Sequence, residues 1–197
     1  MDLKPELQIK TAIKAMTDVV LPAVDPDNKL AQEQAQLVIG MLGLAVSQLP
    51  LMFRYERDEL MRFLDLARQI QPQTREGSAV AAALAISLQR GADVLERARA
   101  EPDELTQANA ALRDAIGALV TEMGTQLDAN AFKRVATAVT AHADGQLLRE
   151  RALVRAQGWE PDPESIPAID SLLAPLRPGC VPVQTCTTLS NPIGKTP

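Results

Sequence analysis

Aromatic residues make up 3% of the 197-residue chain, which holds one histidine and two cysteines. Strands favour aromatic and β-branched side chains, so their scarcity argues against a sheet. Zinc sites draw three or four ligands from His, Cys and carboxylates, and one His with two Cys cannot supply the multi-His or multi-Cys forms. Di-iron bundles of the ferritin type need a Glu-x-x-His pair from each of two helices, whereas the residue three before His142 is Val139. The His-Glu-x-x-His helix, the Gly-x-Ser-x-Gly elbow, the phosphate-binding Gly-x-x-x-x-Gly-Lys loop and the Gly-x-Gly-x-x-Gly turn are missing as well. No metal and no cofactor is expected, and a non-catalytic protein is the better reading than an enzyme. Positive charge is also short. Twenty Lys and Arg face 25 Asp and Glu, for a net −5 and a pI near 5.0. That is the wrong sign for a surface that lives on phosphate backbones or anionic lipid, so neither nucleic acid nor membrane is an expected partner.

What the chain does have is alanine and leucine, within a 46% hydrophobic composition of mean hydropathy −0.05. Both are good helix formers, and the expectation is all-α. The first six residues carry charges of both signs and no apolar run, so they do not read as a secretory signal. Without one, Cys180 and Cys186 read as free thiols and the setting as cytoplasmic. Residues 34–53 carry no charge, about the length of a membrane span. Gln34, Gln36, Ser47 and Gln48 interrupt the stretch and Pro50 breaks it. It reads instead as a helix buried at the centre of a bundle.

Ile9, Ile13, Met16 and Val20 form one stripe of a first helix, ended or kinked by Pro22 and Pro26. Asp25 or Asp27 then caps the next helix, which is apolar on two adjacent faces: Leu30, Leu37, Met41 and Leu44 on one, Val38, Leu42, Ala45 and Leu49 on the other. Gly40 and Gly43 leave a shallow notch on it. After a break at Pro50, Leu60, Phe63, Leu64, Ala67 and Ile70 face inward. Residues 74–78 offer hydroxyl caps for a helix carrying Leu84, Leu88, Gly91 and Leu95. Glu101-Pro102-Asp103-Glu104 is a helix start, with proline in the first turn and acids at the positive end of the dipole. Asp128 is the expected N-cap of the next helix, with Gly145 as a break. After Trp159, eight prolines leave room for one short helix around residues 168–173. The expected architecture is therefore a single helical bundle of five or six helices over residues 1–158, with 30–49 innermost. A Pro-rich, loosely ordered C-terminal extension over 159–197 follows, with at most one short helix.

Few residues stand out as a site. Arg54, Tyr55 and Arg57 present two guanidinium groups beside the only tyrosine, an arrangement that can hold carboxylate or phosphate. The interleaved Glu56, Asp58, Glu59 and Arg62 favour a plainer expectation, a solvated face of local ion pairs worth about 0–1 kcal/mol each. His142, the one candidate acid or base, is expected at a core edge with its ring satisfied by a backbone carbonyl. Trp159 is expected to seal the end of the bundle.

The step Val20-Leu21-Pro22-Ala23-Val24, then Ala31 and Ala35, Val38-Ile39-Gly40 and Leu49-Pro50-Leu51, resembles the N-terminal half of a family of short bacterial all-helical proteins of unknown function. The resemblance covers about the first third of the chain, and the turn at 25–28 departs from the basic connection of that family. It implies an accessory role beside a kinase-like enzyme of phosphotransferase fold or an acyl-CoA dehydrogenase. The expected function is thus a non-catalytic interaction protein that binds a partner and associates as a homodimer. The alternative is a small-ligand binder with an apolar interhelical pocket, whose anionic head is met by Arg54 or Arg57.

Overall fold

The structure is a computed structural model that describes residues 4–97, 100–125, 128–158 and 160–174. Trp159, both cysteines and the chain beyond 174 lie outside the described residues, and with them the expectations placed on them. The described residues are all-α, without a strand. Helices α1 (Pro5–Ala15), α2 (Leu21–Ala23) and α3 (Lys29–Gln48) form an N-terminal hairpin. Helices α4 (Met52–Ile70), α5 (Ala79–Glu96), α6 (Pro102–Gly124) and α7 (Ala129–Val154) form the body, and a single turn, α8 (Ile169–Leu172), closes the described chain.

Local chemistry sets each boundary. Pro5 opens α1, where its missing N–H is no loss. Pro22 has no N–H to return to Asp18, and Leu21 N–H bonds back to Met16 O, five residues earlier. The strip Met16–Val20 between α1 and α2 is accordingly a π-helical turn. Neither acid of the following turn caps α3. Asn28 Oδ1 accepts from Ala31 N–H at 3.1 Å, while Asp25 Oδ1 accepts from Asp27 N–H at 2.9 Å and closes the turn. Ser78 caps α5, Glu101 and Glu104 make a reciprocal capping box on α6, and Asp128 caps α7. Helix α7 runs through Gly145 without a break; neighbouring residues of good helix propensity carry the turn across it.

The expected centre of the fold is wrong. In α3 only Ala35 is buried, whereas α4 buries nine residues, among them Leu60, Phe63, Leu64, Ala67 and Ile70. Leu84 and Val94 of α5, a stripe of α6 from Leu105 to Met123, and Ala131, Val135 and Ala138 of α7 complete that core. At Pro50 the helical ladder is broken, and α3 departs from the axis of the following helix by 69°. This carries α3 out of the body, where α1 packs on one of its sides and the turn Arg155–Gln157 touches it near Gly40. Apolar content on every side of α3 predicted full coverage, but the bend leaves one side open. Gly91 is where the body closes most tightly: a Cβ there would lie 3.1 Å from Leu112 Cδ1 and 3.1 Å from Leu64 Cδ2.

Candidate functional site

Two adjacent stripes of α4 carry the polar chemistry of the body. Arg54, Asp58 and Arg62 recur at helical i, i+4 spacing and face the segment 160–174. Arg54 reaches it with four bonds: Nη1 to Asp170 Oδ1 (2.7 Å), Nη2 to the carbonyls of Asp170 and Leu173 (both 3.1 Å), and Nε to that of Ala174 (3.1 Å). Arg62 Nη2 donates to Leu172 O at 2.7 Å. Asp58 Oδ1 accepts from Ala174 N–H at 2.9 Å, and its Oδ2 accepts from Arg62 Nε at 2.7 Å and from Arg149 Nη1 at 2.5 Å. One carboxylate thereby ties α4, α7 and the C-terminal strap together. Ile166 and Leu173 of the strap are buried in the same closure.

Asp58 and Arg149 are 3% and 1% exposed, so the pair is fully desolvated. Two charges taken out of water cost several kcal/mol each, and the loss is offset only where donors and acceptors are well matched. Here both Asp58 oxygens are occupied, Arg149 Nη2 donates to Gln146 Oε1, and the Arg149 guanidinium lies 5.5 Å over the Tyr55 ring. Arg149 Nε is buried without a partner. Burial pushes the Asp58 carboxyl up, but the bonds from Arg62, Ala174 N–H and Arg149 outweigh it and hold the group below its ordinary value.

The second stripe holds Tyr55 and Glu59. Gln146 Nε2 lies 3.1 Å from the Tyr55 hydroxyl, 3.2 Å from Glu59 Oε1 and 3.0 Å from Glu150 Oε1. Asn109 Nδ2 donates to Glu56 O and Oε2, and Arg113 approaches Glu59 at 3.4 Å. Burial, followed by the charge of Glu56, raises the Glu59 carboxyl. Burial likewise raises the Tyr55 phenol, with Arg149 opposing.

Of the residues singled out in the sequence, Arg54 and Tyr55 fall on this network. Arg57 does not: its Nη2 donates to Leu95 O at 2.8 Å and its guanidinium lies 5.9 Å over Phe53. His142 sits at the network's edge with its ring 4.7 Å from that of Phe63. Its Nε2 is buried with no hydrogen-bond partner, so the expected backbone carbonyl does not satisfy it. Burial first, and then the charges of Arg149 and Arg62, lower the imidazole's proton affinity.

The solvated face of weak pairs is also overturned, since Asp58 and Glu59 are buried. Sequence reasoning missed Asp58, Arg62, Gln146 and Arg149 as partners. The available signals were the spacing of Arg54, Asp58 and Arg62 and the position of Arg149 directly after Leu147-Leu148.

Chemically, the arrangement is a lock: apart from Arg149 Nε and Asn109 Oδ1, which are buried without a partner, its polar groups bond to one another and to the strap. No nucleophile is paired with a base within it. Among the described residues no three His, Cys, Asp or Glu are grouped to hold a metal ion. No single described helix is long and apolar enough to cross a membrane; α3 and the segment Met52–Gln73 pass by length and composition only as a pair bent by 69°. Space for a small molecule lies elsewhere, in an open groove of about 560 Å³ between the end of α4 and the start of α7. Ile70, Val135 and Ala138 lie along it, with Gln69, Lys133 and Arg134. Comparison with protein-family models, with curated proteins and with solved structures finds no match to this chain.

Proposed function

We propose that the protein is a non-catalytic interaction protein: a four-helix body, locked by Asp58 and Arg149, that presents the N-terminal hairpin as its docking element. The observation that carries this reading is the distribution of exposed apolar side chains. Of the thirteen large hydrophobic residues that the fold leaves exposed among the described residues, seven lie on the hairpin, from Leu7 to Met41, and three more follow it directly at Leu49, Met52 and Phe53. Scattered single exposures are ordinary, but a concentration on one element marks an interaction surface. If the family resemblance holds, the client is an enzyme of kinase-like or acyl-CoA dehydrogenase type in a bacterial cytoplasm. The test is capture of a client by the native chain and by Val19→Lys, a change at an exposed position of the π-helical turn. Loss of the client in the variant supports the reading, and equal capture by both contradicts it.

A second reading, a small-ligand binder, is favoured by the groove between α4 and α7. At about 560 Å³ it falls within the range of ligand pockets. Its cations are Lys133 and Arg134, not Arg54 or Arg57, whose guanidinium groups are engaged within the fold. A carboxylate-bearing apolar molecule retained in native mass spectrometry, and lost in Lys133→Glu, would support this reading over the first.

A further inference from the structure

The open side of α3 has a repeat of its own. Leu30, Leu37 and Leu44 recur every seven residues, and Gln34, Met41 and Gln48 recur every seven residues at the intervening position. At 100° per residue the two sets form one seam along the helix, and it runs opposite the side that holds Ala35, the one buried residue of α3. Leu30 is 67% exposed, Met41 59% and Leu37 47%. A seven-residue repeat of this kind is the pattern by which helices supercoil around one another; Leu30, Leu37 and Met41 stand exposed along it, while at its end Leu44 and Gln48 are half-buried, Gln48 beside α7 and the strap.

We propose that the occupant of this seam is the same seam of a second copy, so that two hairpins associate across a two-fold axis. The proposal rests on the reading of the hairpin as a docking element and gives its α3 seam to a second copy, which leaves the exposed apolar residues off the seam, Val19 and Val20 among them, for a client.

Three observations select a second copy over a foreign helix. Partner choice in such seams is set by charges flanking the apolar positions. Here the flanking positions are Ala31, Val38 and Ala45 on one edge and Glu33, Gly40 and Ser47 on the other, with a single charge among six. The seam therefore offers almost no charge code for a different sequence. On α1 the charges are already paired within the helix, Lys10 with Glu6 at 2.6 Å and Lys14 with Asp18 at 2.5 Å.

The exposed set from Leu7 to Phe53 is also mostly aliphatic, with Phe53 its one aromatic residue. That composition matches homodimer interfaces, which resemble a core cut in half, better than transient ones enriched in Tyr, Trp and Arg. Finally, the seam carries both knobs and space. Gly40 flanks it and, having no Cβ, leaves a small recess beside the leucines. A two-fold places such a recess and the leucine knobs on both copies at once, as an isologous contact requires. On the seam Leu30, Leu37 and Met41, with Val38 on its edge, are the large apolar side chains exposed by two-fifths to two-thirds.

The test is sedimentation equilibrium of the full chain at micromolar concentration, with Leu37→Lys, Met41→Lys and, as a control off the hairpin, Ile86→Lys. Circular dichroism of each variant checks that the body is folded, as expected for exposed positions. The expected result is twice the chain mass of 21.2 kDa for the wild type and Ile86→Lys, and a single chain mass for the two seam variants. A wild-type monomer overturns the proposal, and so does a dimer that survives both seam substitutions. Binding of the dye ANS separates that failure from failure of the docking reading. A monomer that binds ANS through the hairpin, with binding lost in Met41→Lys, has an open face for another protein. A monomer that binds no dye has no docking face, and both readings fall.

Discussion

Helices α3 and α4 are adjacent in sequence, and hydrophobicity alone ranks them the wrong way round. Between Gln34 and Gln48 α3 has no charged residue, yet it buries only Ala35, while α4 carries eight charged side chains and buries nine residues, Asp58 and Glu59 among them. The difference is one of segregation. In α4 the apolar residues share one face, and α5, α6 and α7 cover it; the charges beside that face find donors and acceptors at the seam with α7 and the strap. In α3 the apolar residues surround the helix, and after the bend at Pro50 the chain brings to it mainly α1 and the turn Arg155–Gln157, which leave one side open. Burial follows from how many neighbours the topology brings, and apolar content is a demand that a single chain need not meet.

The largest effect expected in this comparison comes from breaking the lock in the charged helix. Arg149→Ala leaves the buried Asp58 carboxylate with Arg62 and the Ala174 N–H but without its buried counter-charge, and should cost about 3–5 kcal/mol in urea unfolding; a loss below about 1 kcal/mol would mean that the pair is not desolvated. Next, Leu64→Ala in α4, at 0% exposure, should cost about 2–5 kcal/mol. Leu30→Ala in α3, measured where the chain is monomeric, should change stability by no more than about 0.5 kcal/mol. Comparable losses at the two positions would erase the distinction between core and hairpin.

Gly91→Val should cost about 1–3 kcal/mol, because the added atoms meet Leu112 and Leu64 at contacts already tight. Gly43→Ala, with open space around it and better helix propensity, should be neutral or stabilising in the monomer by up to about 1 kcal/mol.

The smallest effect is a pH slope. The folded chain resists protonating His142, so stability present above a pH of about 6.5 is lost as the pH falls through the lowered folded value. Glu59, raised by burial, contributes in the opposite direction, its stability being lost as the pH rises through its folded value. Asp58 loses its contribution only in stronger acid, below the ordinary carboxylate range. His142→Gln should therefore flatten the wild-type loss below a pH of about 6.5, and an unchanged slope would place the titrating group elsewhere.

How much of this was legible follows the same division. Caps and stops are local chemistry, and Ser78, Glu101 with Glu104, and Asp128 act at the helix starts where the sequence suggested them. The inward stripe from Leu60 to Ile70 depends on helical period alone and was equally readable. The position of α3 was not, because the direction of the bend at Pro50 depends on which elements pack on α4. The lock was half readable. Arg54 and Tyr55 stood out as a cluster, but their partners Asp170, Gln146 and Arg149 lie more than ninety residues away. A polar face next to a core face becomes buried only when a distant element closes over it.

The most direct test of the account is amide hydrogen exchange of the full chain at several concentrations, comparing α3 with α6. At the lowest concentration α3 should exchange faster than the Leu105, Leu112 and Leu119 stretch of α6, and its protection should rise with concentration while that of α6 stays constant. Protection of α3 equal to that of α6 at every concentration would put the hairpin inside the chain's own core and contradict the account.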